Sequence, residues 1–142
     1  MLFETGWYLK DLGNGETAQR NGRMVFPSAS TRKISIMMAA LLECAPELCR
    51  LAMEILTWQK LNWRLPALLP KGTVVAHKTG TGQEWRNNND AGIIFQGEDP
   101  LFILTVYTED VPLEMPDGLP GYTIAGYHIA KLCRTCWNAL KR

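Results

Sequence analysis

The sequence predicts an α+β fold, an antiparallel sheet of about five strands flanked by helices. Two observations carry that expectation. Strand-like and helix-like segments follow one another in the order β-β-α-α-β-β-β-α, and the links between the last three strands are short, as an antiparallel meander requires. The chain has 142 residues, 46% of them hydrophobic, which suffices for one cored domain in which helices cover the faces of the sheet.

Each element follows from its residues. Residues 6–11 (GWYLKD) alternate and are aromatic-rich, the pattern of a strand. Gly13-Asn14-Gly15 turns the chain, and residues 17–20 form the returning strand. Asn21-Gly22 turns it again, and Met24 to Pro27 leads into Ser28-Ala29-Ser30-Thr31, a cluster suited to capping a helix. The helix expected over 31–43 is apolar nearly all round beyond Lys33, the mark of a central, buried helix. A second helix restarts at Ala45-Pro46-Glu47, with proline and an acid in its first turn, and Leu48, Leu51, Ala52, Ile55 and Leu56 as its expected buried stripe. Pro66 and Pro70-Lys71-Gly72 close that region. Strands are expected over 73–77, 91–95 and 101–107, then a proline-rich loop, then a closing helix over 122–141. On that helix Ile129, Cys133, Cys136, Trp137 and Leu140 share one stripe.

Composition excludes some classes of function. Fifteen basic and 14 acidic residues leave a net charge of +1, scattered without runs, so no electrostatic case exists for nucleic acid or an anionic membrane surface. The apolar stretches are too short to span a bilayer. The first residues lack the basic and apolar regions of a leader, so the chain as it stands is expected to stay in the cytoplasm. Of four cysteines, the pair Cys133 and Cys136 reads as small buried hydrophobes rather than as zinc ligands; a disulfide, also involving Cys44 or Cys49, stays open. No metal or cofactor is expected.

Two constellations carry chemistry. Ser30 and Lys33 are three apart on a helix and so share a face one turn from each other. Ser30 stands at the helix start, where free N–H groups and the dipole favour an attacking alkoxide. Lys33 on a buried helix would lose its charge to desolvation and become a base. The plainer alternative is a capping serine followed by a solvent-facing lysine. The second constellation is His77-Lys78-Thr79-Gly80-Thr81-Gly82, directly after the strand TVVAH. Its glycines permit close approach to the strand, and Lys78 with Thr79 could hold a carboxylate. The plainer alternative here is a strand end with an exposed lysine and threonine.

Together, and in this order, the two motifs resemble the Ser-x-x-Lys and Lys-Thr/Ser-Gly signatures of class A β-lactamases and the related penicillin-binding proteins. The resemblance extends over GWYLKDLGNGETAQRNGRMVFPSASTRK, LPALLPKGTVVAHKTGTG and NDAGIIF with DPLFILTVYT, and so over nearly the whole chain. It implies the α/β half of the β-lactamase/transpeptidase-like fold. It also implies Ser30 as the acylated nucleophile and Lys33 as its general base or proton shuttle, with Lys78 and Thr79 on the substrate carboxylate. The N–H groups of Ser30 and Thr81 would form the oxyanion hole, and Arg86 would be a second carboxylate contact. The implied activity is that of a serine hydrolase acting on β-lactams or related amides and esters. Proteins of this family usually work in the periplasm or outside the cell.

Parts of the family pattern are missing. The helical subdomain is deleted between about 43 and 46, leaving a single domain over 1–142, and Ser-Asp-Asn occurs nowhere. Glu43, Glu47 and Glu54 belong to helices expected to be packed, so none replaces the family's deacylating glutamate. Slow deacylation is therefore expected; the alternatives are a non-turnover module that binds penicillin or peptidoglycan, and an inactive remnant. The face stripped of the subdomain must be covered by repacking of the two helices or by a homo-oligomer.

Overall fold

The computed structural model describes residues 2–41, 46–82 and 84–142. Strands β1 (Glu4–Asp11) and β2 (Thr17–Arg20) form a hairpin. A single 3-10 turn, Ala29–Thr31, leads into α1 (Arg32–Leu41), followed by α2 (Pro46–Thr57). Strands β3 (Val75–Gly82), β4 (Asn87–Gln96) and β5 (Asp99–Glu109) come next, and α3 (Gly121–Leu140) closes the chain. The expected α+β architecture is the one found: one five-stranded antiparallel sheet in the order β2-β1-β5-β4-β3.

The core lies between the sheet and α3. Residues Phe102, Leu104 and Val106 of β5 alternate inward and meet Ile129 and Cys133 of α3, all fully buried. The period-two and helical stripes of the sequence thus meet as expected, and Cys136 and Trp137 join the same cluster. Cys49, Cys133 and Cys136 are free thiols, and burial pushes the Cys136 thiol up from 9.0 to about 11. The Cys133 thiol is also raised, chiefly by burial. Cys44 lies outside the described residues.

Three expectations are corrected. The strands are longer than their apolar runs: β3 begins at Val75 and continues through Lys78, Thr79 and Gly80, because these residues pair in register with Ala91, Asp90 and Asn89 of β4. Backbone pairing, not side-chain hydrophobicity, sets that length. Helix α1 is not central: Ile36 is 63% exposed and Met38 52%, so its apolar side chains lack the layer that the sequence demands. In α2 only Ala52 is buried, while Leu48, Leu51 and Ile55 face outward. Repacking of the two helices over one another has not hidden these stripes.

Candidate active site

The nucleophile candidate sits on a strained turn. Ala29 has a φ of 46°, in the left-handed region that costs a non-glycine residue about 1 kcal/mol. Thr31 closes the turn, its N–H donating to the Ser28 carbonyl at 3.1 Å and its hydroxyl bonding the same oxygen. The Thr31 hydroxyl also lies 3.2 Å from that of Tyr107 on β5. Ser30 is therefore held inside a 3-10 turn, half-buried, rather than at a free helix cap.

This turn lies directly against β3, the edge strand. A Cβ built on Gly80 would come within 2.9 Å of the Ser28 carbonyl, 3.0 Å of the Thr31 nitrogen and 3.1 Å of the Ser30 nitrogen. All three neighbours are backbone, so only glycine permits this approach. The two sequence motifs are thus in van der Waals contact through Gly80.

Around that contact positive charge accumulates. Lys78 donates from Nζ to the Thr79 carbonyl at 2.8 Å. Its pKa is lowered first by burial and then by the charges of Lys33 and Arg64, against an opposing pull from Asp90. Lys33 is thus close enough for its charge to act on Lys78. Lys33 itself is exposed, so the burial that the sequence predicts around its amine is missing, for the same reason that α1 is uncovered.

Sequence reasoning missed Arg64. It is fully buried, and its guanidinium donates to the carbonyls of Gly80 at 2.8 Å and Asn89 at 2.6 Å, to the Asn88 amide oxygen at 3.1 Å, and to the Thr81 hydroxyl. The ring of Trp63 packs on its face at 4.3 Å. Burial brings its pKa down to about 10, with Asp90 pulling the other way. In a stretch reading NWRLPALLP nothing distinguishes this arginine from a surface one. The available signal lay across the sheet, in Asn87-Asn88-Asn89-Asp90, four polar residues in a row that all prove fully buried. Such a run must be satisfied by partners brought from elsewhere.

Most of those partners are present; among the described residues only the Asn87 Oδ1 and the Arg64 Nε are buried without one. Asn89 donates to the Pro27 carbonyl at 2.7 Å and accepts from the Thr108 N–H at 3.0 Å, tying the segment before the Ser30 turn to the sheet. Asp90 accepts from Nδ1 of His77 at 2.9 Å and from the Leu65 N–H at 3.1 Å. The other ring nitrogen of His77 is 3.2 Å from the Asn62 side chain. The His77–Asp90 pair therefore fixes the segment that carries Arg64 beneath β3.

The remaining candidates divide. Thr79 is buried, whereas Thr81 is exposed and coupled to Arg64. Arg86 lies on the turn after β3, exposed and 3.5 Å from the Asp110 carboxylate. The fixed guanidinium beside the motif belongs to Arg64 and not to Arg86.

Against known proteins, the model of the β-lactamase enzyme family matches residues 3–45 and 42–140. The chain belongs to the β-lactamase enzyme family. The match comes in two pieces that meet at 42–45, where the deleted subdomain is expected. A solved β-lactamase from Chitinophaga pinensis superposes with a TM-score of 0.80 at 15% identity, over 96% of this chain and 93% of that one. A variant of the last common ancestor of Gram-negative class A β-lactamases gives 0.79 at 13% identity, over 96% and 92%. A mutant of PBP-A, solved as an acyl-enzyme with penicillin G, gives 0.78 at 16%, over 97% and 90%. At these identities the likeness shows the fold. No curated protein matches the chain in sequence.

Proposed function

We propose that the chain is a serine hydrolase that forms an acyl-enzyme at Ser30 with β-lactams or related amides and esters, and that it releases the acyl group slowly. The observation that carries this reading is the contact of the Ser30 turn with Gly80 of the Lys-Thr-Gly strand, inside a cluster of three cations and one engaged acid. Lys33 is the base candidate for the Ser30 hydroxyl. The N–H groups of Ser30 and Thr81 are proposed to stabilise the oxyanion. Lys78, Thr79 and Arg64 provide the field and the donors for a substrate carboxylate.

A second reading, a module that is acylated without turnover, has its own support. Among the described residues, the one acid that acts on Lys78 is Asp90, and its carboxylate is already committed to His77 and Leu65. Activation of a deacylating water then lacks a free base, which costs a factor of about 10²–10⁴. Glu43, considered for this role, lies outside the described residues.

Intact-mass spectrometry after exposure to penicillin G, alongside hydrolysis of a chromogenic cephalosporin, tests both. One adduct with slow hydrolysis supports the main reading, and one persistent adduct without hydrolysis supports the second. Ser30→Ala must lose the adduct and at least about 10³-fold of any hydrolysis. A variant that keeps either removes Ser30 from the mechanism.

A further inference from the structure

The helices that follow the nucleophile turn carry an apolar surface that the chain itself does not cover. On α2 and just beyond it, Leu48, Leu51, Ile55 and Trp58 recur at helical spacing on one face, and they are 45%, 45%, 49% and 57% exposed. On α1, which touches α2, Ile36 and Met38 are 63% and 52% exposed. The four side chains of the α2 stripe alone expose roughly 400 Å² of apolar surface, within the range of the largest patch on an ordinary monomer. That is about half of the roughly 800 Å² that each partner contributes to a standard interface.

We infer that a second copy of this chain covers this surface, the α1–α2 layers of two molecules packing face to face about a two-fold axis. The patch holds both halves of its own complement, as an isologous interface requires. Helix α1 opens with Arg32 and Lys33 and has no acid, whereas α2 carries Glu47 and Glu54 against the single Arg50. A two-fold axis sets the cationic end of each α1 against the acidic α2 of the other copy, with the leucine, isoleucine and tryptophan side chains of the α2 stripe between them. Apolar area sets the affinity and the charges set the register. Each chain then supplies the layer that the other's nucleophile helix lacks. The inference does not depend on whether Ser30 is acylated.

Sedimentation equilibrium of the purified chain tests it. The expected mass is twice the 16.0 kDa of one chain. Leu51→Asp with Ile55→Asp, at two positions exposed in the single chain, should yield a folded monomer by circular dichroism and weaken association at least about 100-fold. Leu113→Asp, a comparably exposed residue outside the two helices, should leave the dimer intact. Arg32→Glu should weaken the dimer about tenfold, and adding Glu47→Lys and Glu54→Lys should restore it. A wild-type chain that stays monomeric up to ~200 μM overturns the inference. So do aggregates of no fixed mass, a dimer that survives Leu51→Asp with Ile55→Asp, and a charge swap that fails to rescue.

Discussion

Helix α3 and helix α1 are both rich in apolar residues, yet they meet opposite fates. Along α3, Ile129, Ala130 and Cys133 are fully buried against β4 and β5. Along α1, no described side chain beyond the turn residue Thr31 is buried. The difference lies in the partners. The sheet presents α3 with a continuous inward row from β5, while among the described residues the main contacts of α1 are with the Ser30 turn and, slenderly, with α2. An apolar helix is a demand for a neighbour, and this chain meets one such demand and leaves the other open.

Several measurements would break or sharpen that contrast. The largest effect is expected outside both helices, at Arg64. Arg64→Ala strips partners from the Gly80 and Asn89 carbonyls and from Asn88 at once, and should cost about 3–5 kcal/mol in urea unfolding. A loss under about 1 kcal/mol would mean that the guanidinium is not part of the folded scaffold.

Next comes the direct comparison of the helices. Ile129→Ala should cost about 2–5 kcal/mol, since the side chain is fully buried. Ile36→Ala, measured at a dilution where the chain is monomeric, should cost within about 0.5 kcal/mol. Equal costs would show that α1 is packed within the single chain. A cost for Ile36→Ala that grows with protein concentration would instead report the second copy.

A smaller effect follows from the thiols under α3. The unfolded Cys136 ionises near 9.0 and the folded one at about 11, so the unfolded state gives up its proton first. Its contribution to stability is complete below pH 9.0 and declines as pH rises towards 11, and Cys133 adds in the same direction. Urea midpoints followed through that window should fall more steeply for the wild type than for Cys136→Ala. Identical slopes would mean that the thiol is solvated in the folded chain.

The smallest effect concerns the site. Burial is the main cause of the lowered Lys78 pKa, and the charge of Lys33 is the next. Lys33→Ala should therefore raise the Lys78 pKa part of the way back, read from the NMR titration of the methylated amine. No change would place the two amines too far apart to serve one substrate.

Much of the site was legible in one dimension. Ser30 with Lys33, and the run from His77 to Gly82, announce themselves by residue type and spacing. Arg64 did not, because an arginine becomes a buried donor only when carbonyls from distant strands surround it. Arg86, nearer the motif in sequence, lies exposed on the turn after β3 beside Asp110. Asn87, Asn88 and Asn89, which lie outside the strands expected from the sequence, tie together β4, β5, Arg64 and Pro27.

By itself the sequence determined what depends on periodicity and local chemistry: the order of the elements, the antiparallel meander, the stripe of α3 and the two motifs. Tertiary structure alone decided what depends on who the neighbours are. It extended β3 through Gly80, set that glycine against the Ser30 turn, buried Arg64 and left α1 uncovered. Hydrophobic periodicity states which face seeks cover, but cover is a property of the surfaces that pack around it.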